Sequence, residues 1–348
     1  MGISEKTLEQ MMEQIAVLCR IASPSGFTRE IQDYVVGQLE HMGFSPTRLR
    51  KGGIQLTLGG ESHPIVVLAH LDTLGAMVRS IKGNGRLRLT RIGGYPPSNV
   101  EAENCTVHTR EGKIFSGTIQ LVHSSTHVFD DVGTMKRDEE NLELVLDEKV
   151  FEKEQVQKLG ISPGDFVSLD PRTVITPSGF LKSRHLDDKA SAGILMMLAR
   201  LFSQGEFQTD RKVTLFFTTY EEVGHGAAAG IPADTEELLA VDMGAVGDDL
   251  ETNEFTVSIC AKDSSGPYDF EMTNRLIELA KQNKLEYAVD IYPRYGSDTA
   301  TALGSGSDAR FALIGPGVSA SHGYERTHRE GLENTLRLLM AYLGKQPA

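Results

Sequence analysis

The sequence predicts an α/β fold, a mixed sheet flanked by helices, with a mostly-β region inserted into it. Three observations carry that prediction. Ile65-Val66-Val67-Leu68-Ala69 is an unbroken apolar run, which suits a strand covered on both faces, as in a parallel α/β sheet. From about residue 76 to 178 the pattern changes to short alternating segments between Gly, Asn, Pro and acidic turns, the mark of β structure. After about residue 180, strands and helical stripes alternate again. The chain therefore divides into one α/β domain, 1–75 plus 179–348, and an insert, 76–178. At 348 residues it is longer than a single hydrophobic core usually organises.

Taken in order, residues 5–20 form an amphipathic helix with Leu8, Met11, Met12, Ile15 and Leu18 in one stripe. Ser23-Pro24-Ser25-Gly26 ends it. A second helix runs from about Thr28 to Met42, with Ile31, Val35, Val36 and Leu39 inward. Ile54–Leu58 alternates as a strand, and Ile65–Ala69 follows. The insert offers strands at Leu87–Leu89, Cys105–His108, Ile119–His123 and Leu142–Leu146, then a helical piece at Glu152–Leu159 and the turn Ser162-Pro163-Gly164-Asp165. Beyond it come a helix at 187–203, strands at 213–219 and 238–242, and a helix at 267–283. Strands near 286–291 and 311–314 and a final helix at 328–343 complete the chain.

Composition narrows the function classes. Hydrophobic residues make up 40% and charged residues 24%, ordinary for a globular chain. A net charge of −13 argues against nucleic acid and anionic membrane as main partners. No stretch approaches the ~20 apolar residues of a membrane span. Glu5, Glu9 and Glu13 interrupt the N-terminal apolar runs, unlike a signal peptide. Cys19, Cys105 and Cys260 form no CxxC, and their odd count makes no disulfide framework. A reducing, cytoplasmic setting is the expectation.

Sites in α/β sheets form outside the carboxyl ends of strands, so the polar residues at those ends are the candidates. The run 65–69 leads into His70-Leu71-Asp72. Alternation would put His70 and Asp72 on one side, suiting a metal-bound imidazole oriented by a carboxylate; a core histidine beside a turn aspartate has the same text. Asp187-Asp188 opens an apolar helix, where one aspartate would suffice as a cap. The strand 213–219 ends in Tyr220-Glu221-Glu222, and 238–241 in Asp242. His322 follows the apolar stretch 311–317, with His328 as its rival. Glu222-Val223-Gly224-His225 has Glu-x-x-His spacing but no helix to bring its ends together. His123 and His127 are four apart in text that reads as strand and loop.

Each candidate alone is weak, but they fall at successive strand ends of one domain. Three carboxylates and two imidazoles form a donor set that Zn, Co or Mn accepts. Five ligands exceed one catalytic zinc and suit two cations sharing a carboxylate.

At these residues the chain resembles the M42 family of dinuclear metallo-aminopeptidases, the glutamyl-aminopeptidase and tetrahedral-aminopeptidase group. The stretches that carry the resemblance are 69-AHLDTLGAMV-78, 186-LDDKASAG-193, 218-TTYEEVG-224, 240-AVDMG-244 and 297-SDTATA-302, followed by the His322 loop. The resemblance implies the co-catalytic metallopeptidase fold and two divalent metal ions, zinc foremost, with cobalt or manganese as alternatives. His70 would ligate one metal, oriented by Asp72. Asp187 would bridge, with a cis peptide to Asp188. Glu222 and His322 would complete one metal, and Asp242 the other. Glu221 would be the general base. It further implies short peptide substrates, cleaved at the N-terminal bond, and an insert that dimerises the chain into homo-oligomers, from dimer to dodecamer.

The chain departs from the family text at Gly224-His225-Gly226-Ala227, at Gly317–Ser321 before His322, and at Gly323-Tyr324-Glu325-Arg326 after it. Substrate choice is therefore open. A branch associated with small acetylated or amidated dipeptide osmolytes has a similar loop, so a specialised amidohydrolase is one alternative. A non-catalytic oligomeric scaffold is another. A glycosidase using Glu221 and Glu222 is disfavoured, because adjacent residues of an extended segment face opposite sides. Arg294 is a possible partner for a substrate carboxylate.

Overall fold

In the computed structural model, which describes residues 2–344, the unbroken apolar run lies inside the main sheet. Strand Ser62–His70 pairs in parallel with Arg211–Thr218 on one side and Glu237–Val241 on the other. Ile65 to Ala69 are all buried, as a strand covered on both faces requires. Arg310–Val318 adds in parallel to Glu237–Val241. Four strands thus run the same way, and their carboxyl ends share one edge. Antiparallel strands flank them: Ile54–Gly59 beside Arg211–Thr218, and Val257–Asp263 beside Arg310–Val318. The sheet is therefore mixed.

The helix Leu186–Ser203 packs against strand Ser62–His70 and against the helices Glu5–Arg20 and Arg329–Leu343. It is buried along nearly its whole length, and Gly193 sets how closely it approaches the first helix. A Cβ there would stand 2.3 Å from Ile15 Cγ1. This helix begins at the level of the strand ends, which places its first acidic residues beside them.

The inserted segment forms a closed antiparallel barrel of six strands: Gly75–Ile81, Leu87–Ile92, Asn104–His108, Ile114–Leu121, Leu142–Leu146 and Phe166–Leu169. It has its own core around Val78, Leu87, Val107, Leu144 and Val167. A three-stranded sheet, Val174–Ile175, Phe180–Ser183 and Glu325–His328, ties the return from the barrel to the segment after His322.

Several elements differ from expectation for identifiable reasons. The strand expected at 119–123 spans Ile114–Leu121, so His123 lies beyond it. The helix expected from 267 starts at Phe270, because Gly266-Pro267 pairs with Lys262-Asp263 and the Asp269 carboxylate caps Met272 N–H at 2.8 Å. The strand expected at 311–314 runs on to Val318 through Gly315 and Gly317. A Cβ at Gly315 would meet Asp242 O at 1.8 Å, so those glycines serve close backbone approach rather than a turn. No helix among the described residues is long and apolar enough to cross a membrane. Cys19, Cys105 and Cys260 are free and buried.

Candidate metal centre at the strand ends

The shared edge of the parallel strands gathers the sequence candidates. His70 is the last residue of its strand, and Asp242 follows Val241 directly. Thr218 is followed by Thr219, Tyr220 and a single 3-10 turn, Glu221–Val223. Tyr220 enters that turn at φ 70° and Gly224 leaves it at φ 81°. The glutamates therefore do not lie on an extended segment, and the opposite-face argument against a glycosidase falls away: both line one cavity. They differ in depth. The Glu222 side chain is 3% exposed and the Glu221 side chain 18%.

Asp187 lies between the two imidazoles. Its Oδ1 is 3.0 Å from His70 Nε2, and its Oδ2 is 3.2 Å from His322 Nε2. Glu222 Oε2 is 3.8 Å from the same His322 nitrogen. The peptide Asp187–Asp188 is cis. In each imidazole Nδ1–H donates to a backbone carbonyl: His70 to Asp72 O at 2.9 Å, and His322 to Gly94 O at 2.5 Å. Nε2 of both rings is left facing the carboxylates, the arrangement usual for metal-bound histidine.

Asp72 does something other than expected. Its carboxylate is 3.7 Å from His70 Nδ1, and its carbonyl makes the hydrogen bond instead. Strand alternation stops at His70, so the two side chains are not paired by pleat. The carboxylate accepts from Ser25 Oγ and from the backbone N–H groups of Glu221 and Glu222, at 2.5, 3.1 and 3.4 Å. It anchors the turn that carries the glutamates.

Sequence reasoning missed two further carboxylates. Asp188 Oδ2 accepts from His70 N–H at 3.2 Å, and Asp188 lies with His70 and Asp242 in one group of closely spaced ligand atoms. His70, Asp187 and Glu222 form a second such group. Glu325 accepts from His322 N–H at 2.9 Å and Asp187 N–H at 3.1 Å, tying those two residues together. The acidic pair at 187–188 was a visible signal for Asp188. Nothing in the text marked Glu325.

The electrostatics are those of a site short of positive charge. Burial, with Asp242 and Asp187 as close anions, raises the carboxyls of Glu221, Asp188 and Glu222 well above the usual range. Burial and Asp187 push Asp242 to about 7 and Glu325 to about 8. Burial alone would lower the imidazoles, but the hydrogen bonds to Asp187 prevail. His70 is raised well above its ordinary value and His322 to about 10. Burial also works against the Asp187 charge, yet hydrogen bonds from His322 and His70 hold its carboxyl below the ordinary value. Glu222 Oε1 and Asp188 Oδ1 are buried without a hydrogen-bond partner among the described residues. Crowded anions, two imidazoles presenting Nε2 and orphaned carboxylate oxygens together fit divalent cations.

A cavity of about 780 Å³ opens beside these groups, with Met243, Leu250, Tyr292, Tyr295 and the exposed Arg294 in its wall. Other histidines lie elsewhere in the fold. His328 Nε2 bonds Ser178 O at 2.9 Å, its Nδ1 accepts from Glu330 N–H, and its ring packs on Phe180 and Phe255. His123 pairs with Asp131 at 3.0 Å. The exposed His225 stacks on Tyr220.

The sequence and fold have clear relatives. A sequence model of the family described as M42 glutamyl aminopeptidase matches residues 52–338. A Bacillus subtilis (strain 168) protein named "Putative aminopeptidase YhfE" is 44% identical over 339 residues, covering 97% of this chain and 98% of its own length. The glutamyl aminopeptidase of Lactococcus lactis subsp. cremoris (strain MG1363) is 29% identical over 251 residues, 69% of this chain and 68% of that protein. Among solved structures, the TET1 peptidase of Pyrococcus horikoshii, described as able to assemble into a tetrahedron or a large octahedral shell, superposes with a TM-score of 0.83. It shares 21% identity and covers 97% of this chain and 100% of its own.

Proposed function

The chain belongs to the M42 glutamyl aminopeptidase family, and from that premise we propose that it hydrolyses the N-terminal peptide bond of short peptides with two divalent cations. The observation that carries the reading is the Asp187 carboxylate, with one oxygen turned to each imidazole. On this reading His70 and Asp242 would hold one cation, Glu222 and His322 the other, and Asp187 would serve both. Zinc is the first candidate, and cobalt or manganese suits the same donors. Residues 1–75 and 179–348 then form the catalytic domain, and 76–178 the insert through which copies of the chain associate. The buried thiols suit a cytoplasmic setting.

Bound divalent cations supply an acidified water and a polarised carbonyl. The protein's own residues do the rest. Asp72 fixes the turn through two backbone N–H groups, which holds Glu222 inward and leaves Glu221 toward the cavity. Glu221 accepts the proton of the attacking water and passes it to the leaving amine. Its side chain, partly open to the cavity and 3.7 Å from His70 Nε2, is placed to hold that proton between the two transfers.

The test is hydrolysis of short peptides with free and with acetylated amino termini, on metal-loaded protein and on Glu221→Gln. Cleavage of free-amine peptides only, abolished in the variant, is expected. Cleavage of acetylated or amidated dipeptides instead would move the function to a specialised amidohydrolase. Metal binding without any turnover would make the chain a scaffold.

A further inference from the structure

The two imidazoles are held in different ways. His70 is 2% exposed and belongs to a central strand, whereas His322 is 33% exposed and sits in a hairpin tip at φ 59°. The hairpin closes where Ser319 and Arg326 exchange backbone hydrogen bonds. Of its tip, Ala320 and Ser321 are exposed and only Glu325 is fully buried. Apolar packing therefore cannot fix the His322 ring; polar contacts must do so.

Those contacts come largely from the inserted segment and the stretch leading back from it. Gly94 O takes His322 Nδ1–H. Asn99 Nδ2 donates to His322 O at 3.0 Å. Arg184, whose side chain is 4% exposed, spans the seam: one terminal nitrogen donates to Gly323 O at 3.3 Å, and the other to Asn99 O. That second nitrogen also meets Glu103 Oε1 at 3.1 Å, which Arg172 shares at 2.8 Å. Arg172 in turn stacks on Tyr324 of the hairpin, 4.1 Å from the ring centre.

We propose that Arg184 is a positioning residue that fixes the His322 hairpin to the inserted barrel segment, so that the barrel side sets the affinity of the cation site served by His322 and Glu222. The planar guanidinium reaches the hairpin carbonyl, the Asn99 carbonyl and the Glu103 carboxylate together, a task for a fork rather than a point charge. The other site, served by His70 and Asp242 on adjacent strands, does not depend on this link. The inference rests on the two-cation reading above.

The test is zinc titration against a chromophoric chelator on the full chain and its Arg184→Met and Asn99→Ala variants. Wild type should bind two zinc ions. Each variant should keep one site within about twofold and weaken the other at least tenfold, with activity at limiting zinc lost and recovered by excess zinc. Arg184 is buried with Glu103, so its variant could fail to fold. Asn99 is half-buried and leaves Glu103 paired, so Asn99→Ala carries the test in that case. Two unchanged sites in a folded variant would overturn the assignment, as would equal weakening of both, which is general destabilisation. Wild type binding fewer than two zinc ions would overturn the two-cation reading, and this inference with it.

Discussion

Replacing the adjacent glutamates one at a time should give opposite results, because the structure assigns them different surroundings. Glu221→Gln keeps the shape of a side chain that faces the cavity at 18% exposure, 3.7 Å from His70 Nε2. No cavity is created and the backbone N–H to Asp72 survives, and neutralising a carboxyl that is itself raised by burial and neighbouring anions should not lower the Tm of metal-free protein. A lost general base lowers kcat by roughly 10²–10⁴, or about 3–5 kcal/mol of transition-state stabilisation at ~1.36 kcal/mol per decade. Glu222→Gln instead neutralises a 3% exposed carboxylate whose Oε1 has no partner. Without metal that change relieves repulsion from Asp187 and should raise Tm; with metal it should weaken binding. The assay is kcat and KM on a chromogenic amino-acid anilide at saturating zinc, beside zinc stoichiometry and thermal melts with and without chelator. The reasoning fails if Glu221→Gln keeps more than a third of wild-type kcat, or if it loses zinc as Glu222→Gln does.

Two further outcomes follow from the same geometry. In chelated protein, Asp242 moves from 3.8 to about 7, Glu325 from 4.5 to about 8 and His322 from 6.5 to about 10. Against these, His185 is lowered to about 3 and Lys189 to about 8, so the folded state holds its excess of protons mainly between about pH 5 and 8, and stability falls as pH rises across that window. Melting temperatures of the chelated chain should drop from pH 5 to 8, and a flat or rising profile would contradict the assigned crowding. Gly193→Ala gains about 1 kcal/mol of helix propensity, but its Cβ would stand 2.3 Å from Ile15 Cγ1. Overpacking costs roughly 1–3 kcal/mol, so the variant should melt lower, which calorimetry would show; a variant as stable as wild type would mean the two helices can part.

The fold was legible where periodicity was strong. The helices at 5–20 and 328–343 are marked by helical apolar spacing, and the run at 65–69 by its shortness and its β-branched Ile65, Val66 and Val67. Strand Val257–Asp263 was not legible, because buried Ser258 breaks its apolar text. The continuation of Arg310–Val318 was hidden by glycines whose purpose is contact with Asp242 and Asn253 carbonyls. The site was legible where ligand-type residues coincide with strand ends, as at His70, Asp242 and the Glu221-Glu222 pair. Contacts made across long separations left no trace. Glu325 bonds the backbone of Asp187, 138 residues away, and Asn99 reaches His322 across 223 residues. No spacing rule links such positions.

Asp72 shows how much depends on which atom makes a contact. Were its carboxylate the group that orients His70, Asp72→Asn would weaken zinc at the His70 site. The structure gives that task to the Asp72 carbonyl at 2.9 Å, which the substitution leaves in place. What the variant removes is an acceptor for three donors: Ser25 Oγ–H and the N–H groups of Glu221 and Glu222. An amide offers one oxygen and turns an NH₂ toward the remaining donors, so at least one buried N–H loses its partner, at about 1–3 kcal/mol. The turn carrying both glutamates should loosen. Zinc affinity at the His70 and Asp242 site should stay within a few-fold, while kcat falls through misplacement of Glu221. Titration of the variant decides the matter: selective loss of the His70 site would return the orienting role to the carboxylate.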